Sequence, residues 1–151
     1  MKKLLVALIM LAMPFLASAQ LQDPVKWNYS AKKIAANTYE IHLTATIENS
    51  WHLYSMTTPD GGPNATVIKF AKNPFASFEG NVKEVGKLEK YHDENFGVDV
   101  KYFANKVDFV QVVKTKSSKP FAVKGTLEYQ VCDDQQCLPP TEVPFSVNIG
   151  K

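Results

Sequence analysis

The stretch Asn37-Thr38-Tyr39-Glu40-Ile41-His42-Leu43-Thr44-Ala45-Thr46-Ile47-Glu48 alternates apolar and polar residues from Tyr39 to its end. Successive strand side chains point to opposite faces, so Tyr39, Ile41, Leu43, Ala45 and Ile47 share one face. Glu40, His42, Thr44, Thr46 and Glu48 share the other. A helix would need its apolar residues three and four apart, so this segment predicts a strand with one buried side. Residues 25–29, 66–70, 98–103, 107–113, 121–131 and 143–149 read the same way, with β-branched and aromatic residues dominating. Turn signals separate them at Ala36-Asn37, Pro59 to Asn64, Asn73-Pro74, Glu79-Gly80-Asn81, Ala104-Asn105 and Lys116 to Pro120. Many short strands and no sustained helical period predict an all-β protein, an immunoglobulin-like antiparallel β-sandwich.

The first 19 residues have another character. Lys2 and Lys3 precede an apolar run from Leu4 to Leu16, and Ala17-Ser18-Ala19 offers a small-residue cleavage site. These are the three parts of a secretory signal peptide, so export is expected, with residues 20–151 forming a single domain. The run is too short to read as a spanning helix, and no later segment approaches the roughly 18 apolar residues that spanning needs. The exported chain is therefore expected to be soluble.

Loss of Lys2 and Lys3 takes 17 basic residues to 15, against 15 acidic ones. Every basic residue is lysine and the lysines are scattered, so nucleic acid is not an expected partner. The histidines, His42, His52 and His92, do not stand at ligand spacing from one another, and neither a metal nor another cofactor is expected.

The two cysteines, Cys132 and Cys137, sit in Tyr129-Gln130-Val131-Cys132-Asp133-Asp134-Gln135-Gln136-Cys137-Leu138-Pro139-Pro140. Two readings stand side by side. In one the pair is an inert staple on a binding module, although a ring this small yields only about 2 kcal/mol of loop entropy. In the other it is an exchangeable disulfide, which needs an attackable sulfur and room for a partner to approach in line. Asp133 and Asp134 beside Cys132 would disfavour a thiolate there, whereas Cys137 precedes Leu138 and two prolines and escapes that penalty. Cys137 is thus the expected point of attack and Cys132 the resolving thiol. The C-x-x-C spacing of thioredoxin sites is absent.

The cysteine segment resembles the active-site hairpin of the amino-terminal periplasmic domain of the DsbD disulfide reductase family. Trp51-His52-Leu53-Tyr54-Ser55 resembles an aromatic segment lining that site, and His92-Asp93-Glu94-Asn95-Phe96-Gly97 the loop lying over it. The resemblance implies a periplasmic immunoglobulin-like domain acting as a component of a protein-disulfide reductase. It would take electrons from a thioredoxin-like or membrane-embedded donor and pass them to oxidised disulfide isomerases and related oxidoreductases. Carried over residue by residue, it makes Cys132 and Cys137 the exchanging pair, with Cys137 forming the mixed disulfides. Asp93, Glu94 and Tyr54 become site-lining residues, His52 stands where the family often has a tyrosine, and Phe96 is the shield over the sulfurs. The membrane conduit and carboxy-terminal thioredoxin-like domain of the full reductase have no counterpart in the sequence, so another protein is expected to supply the electrons.

Overall fold

The structure, a computed structural model, describes residues 22–94 and 97–150. β1 (Val25–Ala35) and β2 (Thr38–Ile47) form a hairpin across Ala36-Asn37, with Asn37 at φ 55°, a left-handed conformation that asparagine tolerates better than most residues. Within β2, Ile41, Leu43, Ala45 and Ile47 are buried, as their alternation predicts. β6 (Val98–Thr115) is the spine of the first sheet. Its second half pairs with β2 from Lys106 to Lys114, and its first half pairs on the same edge with β3 (His52–Tyr54). β5 (Ala76–Asp93) follows its other edge. β3 in turn pairs with β8 (Val131–Cys132). The second sheet runs β4 (Val67–Phe70), β7 (Phe121–Tyr129), β9 (Thr141–Ile149). All these pairings are antiparallel.

The inner faces of the two sheets share one apolar core. Phe103, Val107, Phe109 and Val113 from β6 meet Val123 and Leu127 from β7 and Phe145, Val147 and Ile149 from β9. Each such side chain contributes roughly 1.5–3 kcal/mol by leaving water. The architecture is the immunoglobulin-like β-sandwich that the alternation predicts.

The observed elements differ from the sequence reading at several points, β3 being one strand that no expected range included. The expected turn at Ala104-Asn105 is absorbed within β6, where Asn105 takes φ 66° and the strand continues. Glu79-Gly80-Asn81 lies inside β5, at a register shift between Glu79 and Lys83. β5 itself was not expected, because its two register shifts break the period of two. Val82, Val85, Leu88 and Tyr91 consequently recur every third residue.

The last difference creates the site. Residues 121–131 read as one strand but divide at Gln130, where the chain leaves one sheet for the other. The β7–β9 ladder stops at Tyr129 and Thr141, and beyond it Pro139 and Pro140 have no N–H to continue it. Gln130 pins the crossing, its Oε1 accepting from the Asn64 N–H at 2.7 Å and its Nε2 donating to the Leu138 carbonyl at 3.2 Å. The tip of the β7–β9 hairpin therefore crosses over and pairs with β3.

Candidate functional site at the cysteine hairpin

That tip carries the cysteines. Cys132 and Cys137 are cross-strand neighbours joined by a disulfide, with Cα atoms 4.0 Å apart. Backbone bonds flank it on both sides: Leu138 N–H donates to the Val131 carbonyl and Asp133 N–H to that of Gln136, each at 2.9 Å. The turn closes on Asp133, whose Oδ1 accepts from the Gln135 N–H at 2.8 Å and the Gln136 N–H at 2.7 Å. Asp133 is therefore a turn former, the usual task of an aspartate at the start of a tight turn. The two sulfurs have unlike surroundings: Cys132 is 4% exposed, whereas Cys137 stands in solvent.

Register explains what surrounds them. His52 lies opposite Cys132, Tyr54 opposite Tyr102, and Tyr102 opposite Glu89. Period-two alternation then places Tyr91 and Asp93 of β5 on the same face. The other face presents Leu53, Phe103 and Val131 to the main core. The sheet thus has a sandwich core on one side and, at this end, a small second cluster of Tyr54, Val100 and Cys132 on the other. Above that cluster opens a cleft of about 610 Å³, floored by aromatic rings and rimmed by the hairpin. The His52 ring lies 4.3 Å from that of Tyr102, and Tyr102 meets Tyr91 edge-on at 5.6 Å.

Burial, then the neighbouring Tyr91 hydroxyl, Asp93 and Tyr102, push the Tyr54 hydroxyl well above the usual phenol range. Tyr91 is raised by burial and by donating to Asp93 Oδ2 at 3.0 Å. Tyr102 is raised by burial and by donating to Glu89 Oε2 at 3.0 Å. Glu89 is lowered, chiefly by its bond to Lys87 and then by that to Tyr102. All three phenols stay protonated at neutral pH and act as donors.

Of the residues expected from sequence, Cys132, Cys137, Tyr54, His52, Asp93 and Glu94 come together around this cleft. Asp93 is buried at 8% exposure and Glu94 faces solvent. Phe96 lies outside the described residues. Trp51 packs into the main core instead. Tyr91, Tyr102 and Glu89 were missed. Tyr91 is two residues from Asp93, and Tyr102 lies within an expected strand, so alternation outward from Asp93 carried the signal for the first. The other histidines stand away from the cleft, His42 against Asp108 at 2.7 Å and His92 against Asp99 at 2.8 Å.

A β-sandwich that offers a hairpin disulfide, one sulfur covered and the other open, at an aromatic and acidic cleft has the build of a disulfide-exchange domain. Comparison with known families agrees: the model described as "Thiol:disulfide interchange protein DsbD, N-terminal" matches residues 18–148, and the chain belongs to that family. Among solved structures, the N-terminal periplasmic domain of ScsB from Proteus mirabilis shares the fold at TM-score 0.53 and 17% identity. The alignment covers 88% of this chain and 50% of that one, so the chain spans half of its length. The reduced DsbD N-terminal domain of Neisseria meningitidis aligns at TM-score 0.43 and 18% identity, over 74% of this chain and 77% of that one. The yeast GGA1 GAE domain aligns at TM-score 0.46 and 10% identity, over 85% and 95%. No curated protein matches the sequence.

Proposed function

We propose that this protein relays reducing equivalents in the periplasm by thiol–disulfide exchange through Cys132 and Cys137. The observation that carries the proposal is the contrast between a buried Cys132 and an exposed Cys137 within one disulfide. Exchange proceeds by attack along the S–S axis on the sulfur a partner can reach, with the other sulfur leaving. A thiolate of a thioredoxin-like or membrane-embedded donor attacks Cys137 Sγ, and the electron pair of the broken bond passes to Cys132. The donor's second thiol then attacks its own sulfur in the mixed disulfide. The donor leaves as a disulfide and the domain as a dithiol.

In the forward transfer Cys137 attacks the disulfide of an oxidised isomerase or related oxidoreductase. Cys132 resolves the mixed disulfide, two electrons pass to the client, and the domain returns to its oxidised state. Tyr54 packs beside Cys132 in the small second cluster, while Asp93 and Glu94 border the approach. Phe96 keeps, on the resemblance alone, the role of shield against stray oxidants. Family membership and the N-terminal signal pattern support a periplasmic setting.

Trapping tests the reading. Reduced Cys132→Ala protein should accumulate a mixed disulfide, bonded through Cys137, with a thioredoxin-like protein that lacks its resolving thiol and carries its attacking cysteine activated as a thionitrobenzoate mixed disulfide, and Cys137→Ala should not. The reverse pattern would exchange the two roles, and no adduct with either variant would favour the inert-staple alternative.

A further inference from the structure

Opening the disulfide leaves a problem that the exchange steps alone do not solve. The sulfur that departs is Cys132, which is 4% exposed, and burial disfavours a thiolate. The cleft it faces is acidic, with Asp93, Glu94, Asp133 and Asp134 on its walls, and like charge disfavours a thiolate further. No lysine lines it among the described residues.

One lining group can carry a positive charge, and it stands across the strand from the departing sulfur. His52 and Cys132 are direct register partners between β3 and β8. Such pairs hold their Cβ atoms about 4.5–5.5 Å apart on the same face. The imidazole is half-buried and rests on Tyr102, which fixes its place over the sheet. We infer that His52 exchanges a proton with Cys132 as the disulfide opens and closes, which makes the rate of reduction pH-sensitive. This rests on the relay reading proposed above.

Every element around the imidazole contributes to its setting. β3 supplies Tyr54, the hairpin Cys132, Asp133 and Asp134, and β6 Tyr102. β5 supplies Glu89, Tyr91 and Asp93, followed by Glu94. Carboxylates thus surround the ring, and Glu89 interacts with it through charge. The tyrosines hold their protons too firmly to yield them to a thiolate. When the donor thiolate bonds to Cys137, the released electron pair goes to Cys132 Sγ and the imidazolium proton follows it. Neutral imidazole and a neutral thiol remain. In the forward transfer the imidazole takes that proton back as Cys132 attacks the mixed disulfide, and the client leaves reduced.

The test is the rate of reduction of the oxidised protein by dithiothreitol between about pH 5.5 and 9, divided by the dithiothreitol thiolate concentration, since imidazole changes charge inside this interval. The wild-type rate constant should fall at least about ten-fold with rising pH, within what a positioned general acid contributes. His52→Phe, which keeps a ring against Tyr102, and His52→Gln, which keeps polarity, should both give flat profiles about ten-fold slower at the acid end. A folded variant of either kind with a profile superimposable on the wild type overturns the inference and leaves the relay intact. A wild-type disulfide that dithiothreitol cannot open overturns both.

Discussion

Cys132 and Cys137 belong to one bond, yet a reagent in solution meets them on very different terms. Once reduced, Cys137 is open to water while Cys132 sits against Tyr54 and Val100 behind acidic walls. Alkylation depends on both thiolate fraction and access. Brief treatment of the reduced protein with iodoacetamide should therefore label Cys137 at least about ten-fold faster than Cys132, as read by peptide mass mapping. Equal labelling would remove the asymmetry on which the proposed order of attack depends. Sequence carried much of this scale. The cysteines, Tyr54, His52, Asp93 and Glu94, each expected from its segment, line the same cleft. What no segment reveals is a partner across strands, and for that reason Tyr102, placed opposite both Tyr54 and Glu89, was not read as a site residue.

At the level of elements, the hairpin has to hold its shape with the disulfide open as well as closed. Its hydrogen bonds at Val131, Asp133 and Gln136 do not depend on the sulfur bond, and loop entropy assigns so small a ring only about 2 kcal/mol. Reduced protein should keep its far-ultraviolet circular dichroism and lose at most about 2 kcal/mol in a urea titration. Collapse on reduction would mark the disulfide as structural. The second sheet depends on a close approach at Gly125 of β7, where an added Cβ would collide with the Lys69 carbonyl on β4 and the Phe145 ring on β9. Gly125→Ala should destabilise the protein by roughly 1–3 kcal/mol, the usual effect of overpacking, measured by the same titration. Elements with unbroken alternation, such as β2, were legible in the sequence. β5 was not, because its bulges shift the apolar period. The split at Gln130 was not either, because changing sheets leaves the alternation of a strand unaltered.

Across the whole molecule, five of six tyrosines, Tyr29, Tyr54, Tyr91, Tyr102 and Tyr129, have hydroxyls raised above the phenol range, each first by burial. An unfolded tyrosine ionises near about pH 10, so above that pH the unfolded chain gives up protons that the folded one retains. Their contribution to stability is therefore fully present below about pH 10 and is lost as pH climbs from there towards the folded values. Urea midpoints should hold level from about pH 8 to 10 and fall at about pH 11, with a shallower fall in Tyr54→Phe. An unchanged midpoint at pH about 11 would contradict the burial of Tyr54 and Tyr129. The same packing gives the molecule its functional form: a sandwich rigid through its core, with a crossing hairpin at one end that offers one sulfur outward. Whether that sulfur trades its bond is decided by equilibrating the purified protein against a graded dithiothreitol redox series and reading the Cys132–Cys137 reduction potential. Exchange by a partner's thiols requires a value above about −300 mV with the fold intact in both states, whereas a value well below it is that of a permanent brace and would contradict the relay.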